Sequence, residues 1–82
     1  MYIIYDKKLK VDLRWNSDIN KLKPLLNNDR IILQTPDNFT FDPTIKRCKI
    51  IYDSENDKYY LQCKNKETQE IIDNNIELKL IQ

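Results

Sequence analysis

The sequence predicts a small α+β domain, an antiparallel or mixed β-sheet of about five to six strands with one short, Pro-interrupted helix packed on it. Three observations predict it. Residues 45–63 read as a self-matching hairpin, Leu9–Trp15 and Ile76–Ile81 alternate apolar with polar residues, and Ile19, Leu22 and Leu26 recur at helical spacing around Pro24. At 82 residues the chain makes one domain, residues 1–82, and its 40% hydrophobic and 33% charged content is that of a folded globular chain.

Taken in order, Tyr2–Tyr5 is a short apolar strand and Asp6-Lys7-Lys8 a turn. The next run alternates strictly, so Leu9, Val11, Leu13 and Trp15 are expected on the core face, with Lys10, Asp12 and Arg14 in solvent. The Trp15 indole N–H then needs an acceptor. Asn16 and Ser17 are N-caps for a helix beginning at Ser17 or Asp18, but Pro24 removes a helical hydrogen bond and disfavours helical geometry at Lys23. The segment is therefore expected as a kinked helix or two short turns, ending at Asn27-Asn28. Arg30–Thr35 contains Ile31, Ile32 and Leu33 and is apolar on both sides, which marks a central strand. Phe39 and Phe41 follow between Pro36 and Pro43. They either plug the edge of the core or form an irregular edge strand, or one of them stands as an exposed anchor on a binding loop.

The central hairpin carries the strongest pattern in the chain. Folding residues 45–63 about Ser54-Glu55-Asn56-Asp57 pairs Asp53 with Lys58, Tyr52 with Tyr59, Ile51 with Tyr60, Ile50 with Leu61, Lys49 with Gln62 and Cys48 with Cys63. One face then holds Cys48, Ile50, Tyr52, Tyr59, Leu61 and Cys63 and is expected in the core, because a one-residue slip would scramble it. The other face holds Arg47, Lys49, Ile51, Tyr60, Gln62 and Lys64. Ile51 and Tyr60 form either an ordinary half-exposed cross-strand pair or the apolar centre of a docking patch with a basic rim. Arg47 opposite Lys64 sets like charges together, a conflict that an acid such as Glu67 or an outside anion would relieve. Beyond the hairpin, Glu67–Ile72 is compatible with helix or strand, Asn74-Asn75 reads as a turn, and Ile76, Leu78 and Leu80 alternate with Glu77 and Lys79 in a final strand. With no glycine in the chain, left-handed backbone positions are expected at Asn27-Asn28, Asn38, Asn56 and Asn74-Asn75.

Composition bounds the chemistry. The absence of His removes Ser-His and Cys-His nucleophile pairs, and the absence of Gly removes phosphate loops and dinucleotide fingerprints, so no enzyme, no cofactor and no metal are expected. Cys48 and Cys63 are expected as two buried thiols, too few for a structural zinc site without His. A net charge of +1 gives no bulk attraction to nucleic acid or membrane. No apolar run is long enough for a transmembrane helix or a signal peptide, so a cytoplasmic protein is expected. The Ile-, Asn- and Lys-rich usage, without Ala, suits an AT-rich genome such as that of many phages and viruses. Together these features point to a non-catalytic protein-binding module, a phage or viral inhibitor or modulator that blocks a host protein sterically in the host cytoplasm. Its partner surface would centre on Ile51 and Tyr60, with Arg47, Lys49 and Lys64 as rim and Phe39 or Phe41 as a second anchor. Homodimerisation through the same patch or an edge strand is the self-directed version of this expectation, and nucleic-acid binding by the basic, Tyr-containing face is the alternative.

Overall fold

In a computed structural model describing residues 1–82, six strands run antiparallel to their neighbours in one curled sheet, in the order β2-β1-β3-β6-β5-β4. They are β1 (Tyr2–Asp6), β2 (Val11–Asn16), β3 (Arg30–Gln34), β4 (Lys46–Asp53), β5 (Lys58–Asn65) and β6 (Ile71–Leu80). The long β6 serves both halves of the sheet. Most of its length pairs with β5, and Lys79 and Leu80 pair with Gln34 and Leu33 of β3. The two edge strands, β2 and β4, curl towards each other, and Trp15 stacks on Phe41 with ring centroids 4.3 Å apart while Phe39 lies 6.3 Å away.

The curl creates an inside. Ile3, Tyr5, Ile31, Leu33, Tyr59, Leu61, Cys63 and Leu78 meet there as the main core, joined by half-buried Trp15, Phe39, Cys48, Ile50 and Ile76. A second, smaller cluster of Ile4, Leu22 and Ile32 lies on the opposite side of β1 and β3. These two strands are thus buried on both faces, as the unbroken apolar runs Tyr2–Tyr5 and Ile31–Leu33 require.

The cover over that second cluster is the short helical segment. It consists of two 3₁₀ turns, Ile19–Lys21 and Lys23–Leu25, rather than a continuous α-helix. Pro24 sits in the first positions of the second turn, where its missing N–H removes no hydrogen bond, and Asp18 caps the first turn by accepting from the Asn20 amide. Leu22, between the turns, is fully buried against Ile4 and Ile32.

Several expectations need correction. The β2 alternation does not deliver Leu9, Val11 and Leu13 to the core, since they are 62%, 44% and 41% exposed. The β1–β2 register shifts between Ile4 and Tyr5, so Trp15 lies opposite Ile3 but Asp12, not Leu13, lies opposite Tyr5. A bulge at Leu13 has reversed the facing of the strand below it. Asp12, now on the inner side, accepts the Trp15 indole N–H at 2.7 Å. The turn expected at Asn74-Asn75 is instead an irregular stretch inside β6, with Asn75 at φ 52°, and the chain reverses at Lys66–Thr68. The other left-handed residues are Lys10, Asp57 and Gln69, not the remaining asparagines. Finally, Cys48 and Cys63 are bonded to each other rather than free. They lie directly opposite with Cα atoms 4.0 Å apart, the close kind of antiparallel pair that brings two sulfurs within bonding reach.

Candidate binding site

The β4–β5 hairpin has the register that its sequence implies, from Asp53 opposite Lys58 through Ile51 opposite Tyr60 to Cys48 opposite Cys63, and it extends to Arg47 opposite Lys64 and Lys46 opposite Asn65. Its turn is held by Asp53, whose carboxylate accepts from the Glu55 and Asn56 amides and from the Asn56 side chain. The Asn56 side-chain hydrogen bond is the main reason that the Asp53 carboxyl is lowered from its ordinary pKa. Because side chains alternate, Cys48, Ile50, Tyr59, Leu61 and Cys63 face the core; Tyr52 shares that face but, contrary to expectation, is 45% exposed at its open end, and Arg47, Lys49, Ile51, Tyr60, Gln62 and Lys64 share the outer face.

On that outer face Ile51 is 38% exposed and Tyr60 is half-buried beside it. Adjacent β6 adds an exposed apolar residue at the Lys64 end of this face, away from Ile51 and Tyr60, which the sequence pattern does not announce. Its N-terminal residue Ile71 lies opposite Lys64 and is 53% exposed. The irregular register of β6 between Ile71 and Ile76 breaks the period-two pattern, which is why this apolar neighbour could not be placed from spacing. Glu77 lies opposite Tyr60 and forms an ion pair of 3.0 Å with Lys58, and this hydrogen bond raises the Lys58 pKa.

At the other end of the face the charges are one-sided. Arg47, Lys49 and Lys64, with Gln62 and Gln69, line a shallow cleft of about 280 Å³. The three ion pairs of the chain are Arg30–Asp6, Lys46–Asp73 and Lys58–Glu77, so none of these three cations has an acidic partner within 4.0 Å. Glu67, the internal acid that would relieve the Arg47–Lys64 conflict, makes no ion pair with either. No family model, no curated protein and no solved structure matches the chain.

Phe39 and Phe41 belong elsewhere. Phe39 packs against the main core on the inner side, with the Lys46 ammonium 4.8 Å from its ring centroid, and Phe41 stacks on Trp15. Lys46 is anchored there by an ion pair of 2.7 Å with Asp73, a contact of charges rather than a directed hydrogen bond, and by donation to the Thr40 carbonyl. The two phenylalanines thus close the seam between β2 and β4 and are not gathered with Ile51 and Tyr60. No three His, Cys, Asp or Glu side chains cluster as a metal-binding group, and no helix is long and apolar enough to cross a membrane.

Proposed function

We propose that the chain is a non-catalytic binding module that docks an acidic protein surface onto the outer face of β4 and β5, and that it acts by covering that surface. Ile51 and Tyr60 form the apolar centre and Arg47, Lys49 and Lys64 the rim. The observation that carries the reading is the unpaired cation trio. Two like charges directly across a β-ladder destabilise the fold, and a partner's carboxylates would remove that cost while the apolar pair is buried. Phe39 and Phe41, stacked with Trp15 at the seam, are set apart from this patch.

The test is a pull-down of the tagged protein from nuclease-treated host lysate, beside an Ile51→Asp, Tyr60→Ala variant whose fold is verified. One stoichiometric protein partner, lost in the variant, is the expected result. Unfolding caused by Tyr60→Ala alone would place Tyr60 in the core and remove it from the patch. The same trio beside an aromatic ring also favours a second reading, single-stranded nucleic acid stacked on Tyr60. Engagement of three phosphates predicts a slope of about −2 in log affinity against log salt, and a flat response excludes it.

A further inference from the structure

The inside of the curled sheet is filled at one end and open at the other. At the open end the turn after β1 faces the tip of the β4–β5 hairpin across a cleft of about 590 Å³. Its wall is Tyr5, Ile50, Tyr52 and Tyr59, and its lip carries Lys7 and Lys10 on one side and Asp57 on the other. We infer that this mouth is a binding site for a small ligand that combines a flat ring with an anionic group, either phosphate or carboxylate.

Tyr52 is the first reason. By register it is an inward-facing residue, paired with buried Tyr59, yet it is 45% exposed because no other element closes over it. Its ring lies 4.8 Å from that of Tyr59, which in turn meets Tyr5 edge-on at 5.7 Å, so the three tyrosines form a continuous aromatic wall. The Tyr52 hydroxyl donates to Asp57 at 2.8 Å, which fixes the ring in place before any ligand arrives. A flat ring laid against such a wall exchanges water for aromatic contact on one side and leaves its polar edge free.

Charge at the lip is the second reason. Lys7 and Lys10 are exposed and take part in none of the ion pairs of the chain, whereas Asp57 is already engaged by Tyr52. An anionic group on the ring's outer edge would meet two free ammonium groups. The cleft also lies within the ~300–1,000 Å³ range of small-ligand sites, in the position where curled and closed sheets hold ligands. This site is independent of the outer face, since its wall faces the other side of the hairpin.

The test is amide NMR on the full chain, titrated separately with adenosine monophosphate, indole-3-acetate, adenosine and inorganic phosphate. Saturable shifts confined to the mouth residues are expected for at least one of the two ring anions. Adenosine should bind there about tenfold more weakly than its monophosphate, and a Lys7→Glu, Lys10→Gln variant should lose about tenfold in affinity for the monophosphate while adenosine is unaffected. Tyr52→Ala, a change at an exposed ring, should weaken the monophosphate and adenosine together with the fold intact. The inference is overturned if neither ring anion gives saturable shifts at the mouth up to about 10 mM. It is equally overturned if the shifts map to Arg47, Lys49 and Lys64, or if adenosine and its monophosphate bind equally.

Discussion

Single residues in this chain do the work usually left to glycine. Three hairpin turns share one construction. Asp6, Asp53 and Asn65 each open a turn by accepting, at one side-chain oxygen, the amides two and three residues on, and four residues on Lys10, Asp57 and Gln69 adopt φ of 59°, 52° and 64°. The backbone amides of Lys10 and Gln69 also reach back to the carbonyls of Asp6 and Asn65. Of the opening Asx residues, Asp6 alone is visible in the sequence as part of its turn, since the second turn is read at Ser54–Asp57 and the third is expected at Asn74-Asn75. The left-handed residues are not visible, because Lys and Gln have no special tolerance for positive φ and are held there by the turn. A side chain at such a position costs about 1 to 2 kcal/mol, partly offset by the entropy that a glycine would lose. Gln69→Gly should therefore raise unfolding free energy by about 0.5 to 1 kcal/mol in urea titration. Glu67→Gly, in the same turn but with negative φ, should lower it. Equal effects from the two changes would mean that the left-handed conformation at Gln69 carries no strain.

At the scale of elements, legibility followed how many constraints each segment carries. The β4–β5 register was legible because successive rungs match in character, and any slip breaks all of them together. β3 was legible because an apolar run on both sides leaves only a central position. β2 failed for the opposite reason. Its alternation is correct as a pattern, but one bulge at the edge strand reverses the facing, and an edge has only one neighbour to resist it. A Pro-bracketed loop alone leaves Phe39 and Phe41 open to two readings, core-edge residues or a binding-loop anchor, and the seam that they fill exists only once β2 and β4 curl together. The disulfide lies between these cases. Its partners were legible as an opposed pair, while the bond itself depends on the pair being of the close type. It closes a sequence separation of 15 residues within the same hairpin that presents the outer face. Reduction should lower stability by about 3 kcal/mol, measured in urea with and without dithiothreitol. The hairpin register should survive, because Ile50, Leu61 and Tyr59 hold it independently. If reduction instead erased the β4–β5 amide protection before global unfolding, the bond rather than side-chain matching would be what sets the register.

For the whole molecule, acid is the condition that reaches several turns at once, those held by Asp6, Asp42 and Asp53 but not the one opened by Asn65. Asp6 is the most connected of the carboxylates. It accepts from the Lys8 and Leu9 amides and pairs with Arg30 at 3.3 Å, and Arg30 in turn donates to the Leu25 carbonyl, so this one group ties the first hairpin to β3 and to the 3₁₀ turns. The hydrogen bond from the Leu9 amide is the main cause of its lowered pKa, with Arg30 and Lys8 acting in the same direction and burial against them. Asp42 and Asp53 are lowered likewise, chiefly by the Thr44 and Asn56 side chains. For each, the unfolded chain, at about the ordinary value of 3.8, binds its proton more tightly than the folded one. Their stabilisation is therefore fully present above that value and is lost as pH falls through the lower folded values. Protonation of all 13 acidic side chains also takes the formal net charge from +1 to +14, which adds repulsion in a compact chain. The melting temperature should accordingly stay level from neutrality to about pH 5 and fall steeply below about pH 4. Asp6→Asn should be less stable than the parent at pH 7, with the gap narrowing as pH falls through the acid limb, because the parent loses there what the variant never had. A gap that stayed constant down to pH 2 would show that the Asp6 contribution is one of shape, made equally by the protonated carboxyl.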